Sequence, residues 1–175
     1  QPGERVLVNG ASGGVGSFAV QIAKVMGAHV TGVCSTRNME MVRSIGADQV
    51  VDYTQTDVTQ SGEKFYVVID VAAFRSFLDY RRILSEGGRY VRVGGAPART
   101  YQIMLLGPFV SMARARTMKF FITQPTPQDL ETLLGWMAER RIRTVVDRTY
   151  PLDEVPEAIR YLEEGHARGK VVVEL

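Results

Sequence analysis

A glycine-rich segment that follows a short apolar run constrains the fold of this chain most strongly. The run is Val6-Leu7-Val8, and the segment reads Gly10-Ala11-Ser12-Gly13-Gly14-Val15-Gly16. Glycine permits a tight turn and lets a ligand approach the backbone. The free N–H groups at the start of a following helix favour an anion, most often a pyrophosphate. The segment therefore predicts a dinucleotide-binding loop between a strand and a helix, in preference to a tight turn without a ligand.

Beyond this loop, strand-like and helix-like segments alternate. The hydrophobic spacing predicts helices over 17–27, 39–45, 74–84, 129–140 and 153–164, and strands over 6–8, 29–34, 49–53, 66–71, 90–93, 118–122 and 170–174. We expect Gly87 and Gly88 to end the third helix. The continuous apolar run at 66–71 is typical of a strand buried on both faces. The pattern predicts an α/β fold: a doubly wound, Rossmann-like parallel sheet between two layers of helices, which makes three layers, αβα.

The composition excludes several other classes. The 175 residues carry 21 basic and 19 acidic side chains and are 45% hydrophobic, which indicates an ordinary globular domain. One cysteine excludes a disulfide framework and a cysteine-based zinc cluster. No apolar run approaches the roughly 18 residues that span a bilayer, so we expect a cytoplasmic protein without a membrane partner. Because the chain starts at Gln1 just before a core strand, we expect it to be cut from a longer protein.

The loop also fits a second glycine spacing, G-x-x-x-G-x-G, through Gly10, Gly14 and Gly16. That spacing belongs to the short-chain dehydrogenases, which also share a catalytic Tyr-x-x-x-Lys pair. None of the seven tyrosines has a lysine four residues later, so we reject this assignment.

The residues after the second predicted strand favour NADP over NAD. NAD-binding chains carry an acidic residue there for the ribose hydroxyls, whereas this chain has no acidic residue between Gly16 and Met39. Ser35, Thr36 and Arg37 can instead bind a 2′-phosphate. The same residues could cap the next helix, and the two roles are compatible. The neighbouring Cys34 is interpreted as a small core residue.

Several motifs together resemble the medium-chain dehydrogenase/reductase superfamily. Within it, the chain is similar to the quinone oxidoreductase (zeta-crystallin-like) and enone reductase branch. The motifs are the glycine loop with the preceding Gly3-Glu4-Arg5-Val6-Leu7-Val8, then Gln21-Ile22-Ala23-Lys24, Gly46-Ala47-Asp48, Asp52-Tyr53 and the ending at 164–172.

The resemblance implies a division of the protein and further binding residues. Residues 1–150 would form the NADP-binding domain, and residues 151–175 would complete a GroES-like catalytic domain that precedes this chain in full-length members. Tyr53 would line the 2′-phosphate pocket. Asn38 stands where some relatives carry lysine for the phosphate. The nicotinamide side would be formed by Val93, Gly94, Gly95, Phe121 and Ile122.

The resemblance also implies a function, the transfer of hydride to a quinone, enone or carbonyl substrate, with this chain inactive on its own. Two alternatives stay open: the cofactor domain of a zinc-dependent alcohol dehydrogenase, and a non-enzymatic dinucleotide-binding module. We name no catalytic residue and expect no metal in this chain. His29 and His166 each stand alone and are interpreted as structural or surface residues.

Charge is uneven, with 10 basic and 4 acidic residues in 61–120. We favour a solvated face and contact with the other domain over a nucleic-acid interface, since aromatic residues do not alternate with the arginines. In related enzymes the strand from Thr117 to Thr123 pairs with its copy, so we expect a homodimer.

Overall fold

The structure, a computed structural model, describes residues 2–72, 75–93, 117–119, 126–165 and 167–175. Its main sheet is parallel throughout, with the order β3-β2-β1-β4-β5-β6. The six strands are β1 Arg5–Asn9, β2 His29–Cys34, β3 Gln49–Asp52, β4 Phe65–Asp70, β5 Leu84–Arg92 and β6 Thr117–Lys119. The helices of the described residues are α1 Gly16–Val25, α2 Met39–Ser44, α3 Phe77–Arg81, α4 Pro127–Ala138 and α5 Val155–Glu163. This arrangement confirms the predicted doubly wound, Rossmann-like sheet.

The strand order places a crevice beside the first strand. From β1 the chain moves outward through β2 to β3, then returns to the other side of β1 as β4. The connections at the carboxyl ends of β1 and β4 therefore leave in opposite directions and open a crevice between them, which is where open α/β sheets bind ligands. The glycine loop leaves β1 at this crevice.

Both faces of the sheet are buried. Val8 faces a core formed with Val20 of α1 and Val42 of α2, and Leu7 faces the opposite core with Tyr80 of α3. Helices lie on both faces, as a continuous apolar strand requires. A Cβ on Gly32 would lie 2.6 Å from the Val42 side chain. Glycine at this position therefore lets α2 pack directly on β2.

The two glycines expected to break the third helix lie inside a strand instead. The helix ends at Arg81 rather than at 84, and β5 begins at Leu84. Between the pairs Phe65–Leu84 and Val67–Arg89, β5 contains extra residues that form a bulge. Gly87 has a φ of +71°, which other residues rarely adopt, so these glycines permit the bulge and do not end the element.

A second, small sheet was not predicted in full. The strand β7 (Val146–Pro151) pairs in parallel with β8 (Lys170–Glu174). Only β8 has the apolar run typical of a strand. The sequence of β7 is VDRTYP, and its charged and polar residues gave no strand pattern. The strand β7 crosses the predicted boundary at 150/151. The division into domains 1–150 and 151–175 stays a prediction.

No helix in the described ranges has the length and apolar character needed to cross a membrane.

Candidate dinucleotide-binding site

The glycine loop is anchored to the end of β2. Gly10, with a φ of +81°, donates its N–H to the Val33 carbonyl at 3.1 Å, and the N–H of Ala11 donates to the same oxygen at 3.0 Å. The N–H of Gly13 turns back to the Gly10 carbonyl at 3.2 Å. The loop thus starts its turn immediately after the strand, beside the crevice.

The helix α1 begins at Gly16 in direct contact with the start of the loop. A Cβ on Gly16 would lie 2.8 Å from the Gly10 carbonyl carbon, 2.9 Å from the Ala11 Cα, and closer still to the Gly10 oxygen. Only glycine fits there. Among the described residues, no backbone acceptor is found for the N–H groups of Val15 and Gly16. They form the group of donors that a helix N-terminus offers to an anion.

A cavity of about 320 Å³ lies between the glycine loop and the end of β2. It brings together five residues that the sequence analysis selected: Ser12, Gly13, Ser35, Arg37 and Tyr53. A smaller adjoining pocket of about 230 Å³ is formed by Ser35, Thr36, Arg37 and Tyr53. The predicted pyrophosphate loop and the predicted 2′-phosphate residues therefore share one continuous site.

Tyr53 also borders a third pocket, of about 290 Å³, between the ends of β1, β3 and β4. The tyrosine is 56% exposed, and its N–H donates to the Cys34 carbonyl at 3.1 Å. Ala72 and Arg75 line the opposite wall of this pocket, and Arg75 pairs with Asp57 at 2.8 Å. The pocket combines an aromatic ring with a guanidinium that the ion pair holds in place.

Asp52, at the end of β3, is a site residue that the sequence analysis missed. Its carboxylate accepts hydrogen bonds from the Thr36 hydroxyl, the Thr54 hydroxyl at 2.7 Å and the Thr54 N–H at 2.9 Å. The hydrogen bond from Thr36 is the largest cause that lowers the pKa of Asp52 below its usual value. The carboxylate is therefore ionised but occupied by three protein donors. The Thr36 hydroxyl is turned toward it, while the role of Thr36 toward a phosphate stays a prediction.

Asn38 connects the loop to the end of β2. Its side chain is 5% exposed, and Nδ2 donates to Ser12 Oγ at 3.0 Å and to Ser35 Oγ at 3.2 Å. The other amide atom, Oδ1, is buried without a partner among the described residues. Asn38 also lines the 320 Å³ cavity, so its amide fixes two hydroxyls of the site.

The C-terminal segment reaches the glycine loop. Gly169 forms an isolated parallel bridge with Gly13, and a Cβ on Gly14 would lie 3.1 Å from Lys170 Nζ. The N–H of Lys170 donates to the Val145 carbonyl at 2.8 Å, which fixes this segment beside the loop. Lys170 is a second site residue that the sequence analysis missed, because a separation of more than 150 residues leaves no local signal.

On the predicted nicotinamide side, Val93 donates its N–H to the Asp70 carbonyl at 2.9 Å. Below it, the buried Asp70 carboxylate accepts from Asn9 Nδ2 at 2.7 Å and from the Tyr90 hydroxyl at 2.6 Å. Burial raises the pKa of Tyr90 above its usual value, so the phenol stays protonated. This network braces the crevice between β1 and β4. The other four predicted residues, Gly94, Gly95, Phe121 and Ile122, lie outside the described residues.

The cysteine and the two histidines considered in the sequence analysis are not assigned to the site. Burial raises the pKa of the Cys34 thiol to about 11, which fits a core residue. His29 is exposed at the start of β2, and His166 lies outside the described residues. Within the described ranges, no three His, Cys, Asp or Glu side chains group together as metal ligands, and we assign no step to a metal.

Comparison with known proteins places these features in a family. A family model described as zinc-binding dehydrogenase matches residues 45–173. The chain is 34% identical over 175 residues to a chloroplast envelope quinone oxidoreductase homolog of Arabidopsis thaliana, covering 97% of this chain and 52% of the relative. It is 36% identical over 187 residues to a trans-enoyl reductase of Aspergillus terreus, covering 99% of this chain and 52% of the relative.

Among solved structures, the quinone oxidoreductase from Coxiella burnetii superposes with a TM-score of 0.87 at 28% identity, covering all of this chain and 54% of that one. The chain thus spans about half the length of the relatives that it matches.

Proposed function

We propose that this chain, which belongs to the zinc-binding dehydrogenase family, binds NADPH for an oxidoreductase that reduces quinones or enones. The observation that carries the proposal is the single continuous site formed by the glycine loop and the pocket of Ser35, Arg37 and Tyr53. Its donors are backbone N–H groups, hydroxyls and a guanidinium, all of which suit phosphate oxygens.

The glycine loop suits the pyrophosphate. The N–H groups of Val15 and Gly16 would donate to its oxygens, and Lys170 would add a positive charge from the C-terminal segment. The pocket between Tyr53 and Arg75 suits the adenine ring, since aromatic and guanidinium planes stack on bases.

The choice of NADPH over NADH rests on the absence of a ribose-binding carboxylate on the wall formed by residues 34–37. An acidic group there would accept from the two ribose hydroxyls of NAD and repel a 2′-phosphate. The nearest carboxylate, Asp52, is occupied by Thr36 and Thr54. Ser35 and Arg37 remain on the pocket wall and would bind the 2′-phosphate.

When bound, the nicotinamide supplies a hydride to the substrate. The residues of this chain bind and orient that group on one side. The buried network of Asn9, Asp70 and Tyr90 keeps the crevice rigid beneath it. Because the relatives are about twice as long, we propose that residues beyond this chain hold the substrate and that the chain alone does not turn over.

A homodimer through the strand from Thr117 to Thr123 is part of the proposal. Its first residues form β6, which ends the strand order of the described sheet, and an edge strand can pair with a copy of itself. A nucleic-acid partner is not proposed, since Arg75 and Arg89 are engaged in ion pairs with Asp57 and Glu4. A single light-scattering mass at tens of micromolar tests the assembly, and a monomer contradicts it.

The cofactor proposal is tested with two arginines that carry the same charge in different environments: Arg37 lines the pocket, whereas Arg43 is exposed on α2. We expect Arg37→Gln to weaken NADPH binding about 10- to 100-fold, the value of a lost charge-assisted hydrogen bond, and to change NADH binding little. Arg43→Gln should leave the ratio of the two dissociation constants unchanged. Equal losses for NADPH and NADH in Arg37→Gln would contradict the assignment of this pocket.

A further inference from the structure

The amide of Asn38 has one orientation that the surroundings favour. With Nδ2 toward Ser12 and Ser35, its two hydrogens both find acceptors, and only Oδ1 is left without a partner. The reverse orientation would bury an NH₂ group whose two hydrogens meet no acceptor among the described residues. A buried unpaired donor is rarer than an under-satisfied carbonyl oxygen, so Nδ2 faces the serines.

This orientation decides what the two serines can do. Each hydroxyl oxygen accepts a hydrogen bond from the amide, which leaves its own proton to donate elsewhere. In the described part of the chain, neither the Ser12 nor the Ser35 hydroxyl donates to a protein acceptor. Both residues line the 320 Å³ cavity, together with Arg37. The cavity therefore offers hydroxyl donors at two separate places, one on the glycine loop and one after β2.

We propose that Asn38 is a positioning residue that holds Ser12 and Ser35 as hydrogen-bond donors toward two phosphate groups of one ligand. Ser12 serves the phosphate at the glycine loop, and Ser35 serves the 2′-phosphate. The inference rests on the proposed NADPH function and deepens it, because a single buried amide then sets the polarity of both subsites. Asn38 acts through the two serines and need not touch the ligand.

Asn38→Asp tests this directly, because the carboxylate is nearly isosteric but accepts hydrogen bonds where the amide donates them. Both serine protons would then turn inward to the introduced carboxylate and away from the cavity. The probe is 2′,5′-ADP, which carries one phosphate for each subsite, titrated calorimetrically into the whole chain. We expect Asn38→Asp to weaken its binding at least 50-fold.

The new negative charge also repels phosphate, so the charge must be separated from the change in hydroxyl polarity. A double-mutant cycle does this by placing Asn38→Asp in a Ser12→Ala, Ser35→Ala background, where only the charge effect remains. We expect the loss caused by Asn38→Asp to be at least 10-fold smaller in that background. An equal loss in both backgrounds would overturn the inference.

Because Asn38 is buried, a second variant guards against misfolding. Asn38→Leu has a similar size and no charge, and we expect it to weaken 2′,5′-ADP binding three- to tenfold in the native background and not at all in the double-alanine background. Wild-type chain that fails to bind 2′,5′-ADP or NADPH would overturn the proposed function, and the inference with it. Wild-type binding that neither Asn38 variant alters would overturn the inference alone.

Discussion

The closest backbone approach in the glycine loop makes Gly16→Ala the sharpest test of the loop geometry. A Cβ at this position would lie 2.8 Å from the Gly10 carbonyl carbon and 2.9 Å from the Ala11 Cα. Both neighbours are backbone atoms that cannot rotate away, and Gly10 is itself fixed by its hydrogen bond to the Val33 carbonyl. The loop and the first turn of α1 would have to separate.

The size of the effect follows from two opposing contributions. Forcing an extra methyl group into a tightly packed site costs about 3 kcal/mol. Replacing a helical glycine with alanine returns about 1 kcal/mol through helix propensity. The net loss in the free energy of unfolding is therefore about 2 kcal/mol, roughly a 30-fold change in the folding equilibrium.

Urea denaturation followed by circular dichroism measures this loss, and Gly13→Ala is the matched control. Gly13 lies in the same loop, but a Cβ there would be 3.6 Å from the Gly10 oxygen, an ordinary contact. We expect Gly13→Ala to change the free energy of unfolding by less than about 0.5 kcal/mol. If the two variants unfold at the same urea concentration, the reasoning on the loop is refuted.

Three further predictions concern single side chains. Hydrogen bonds lower the pKa of Asp52 in the folded state, so the stability that this carboxylate contributes is present above its unfolded pKa of about 3.9 and is lost as the pH falls through the folded pKa. Asp52→Asn should therefore make the free energy of unfolding depend less steeply on pH in the acid range, and an unchanged dependence argues against these hydrogen bonds of Asp52. Because Lys170 lies beside the glycine loop, Lys170→Ala should weaken the binding of ADP and of 2′,5′-ADP by the same factor and reduce the salt dependence of both. Calorimetry at two salt concentrations measures this, and a loss for 2′,5′-ADP alone would show that the charge of Lys170 acts near the 2′-phosphate instead. Burial raises the pKa of Cys34 to about 11, so a disulfide reagent at pH 8 should react with it only at the rate of unfolding, and rapid labelling of the folded chain would contradict its burial.

Most of the fold could be predicted from local sequence patterns. The glycine loop and the apolar strands at 29–34 and 66–71 predicted the sheet because strands buried on both faces need little polar alternation. The β7 strand was missed since its side chains are polar and its pairing with β8 bridges about 20 residues. Gly87 and Gly88 were misinterpreted because glycine permits a bulge as readily as it ends a helix.

The sequence selected candidate site residues only where they are close together along the chain. Ser12 and Gly13 of the loop, with Ser35 and Arg37 after β2, line one cavity, and their contacts with a cofactor stay a prediction. Asp52 was not selected from the sequence, because its contact with Thr36 depends on the pairing of β2 with β3. Lys170 was not selected, because its position depends on the return of the C-terminal segment to the glycine loop. A search for acidic residues that stopped at Met39 could not find the carboxylate at the end of β3.

The most direct test of the NADPH site is a titration of isotope-labelled chain with NADPH and, separately, with NADH, monitored by the amide resonances in NMR spectra. We expect both ligands to shift the amides of Gly14, Val15 and Gly16, because we propose that the pyrophosphate binds at this loop. We expect the differences between the two ligands to be confined to residues 35–37 and Tyr53, which line the pocket proposed for the 2′-phosphate. Identical shifts for the two ligands at these residues, or no shifts at the glycine loop, would contradict the account.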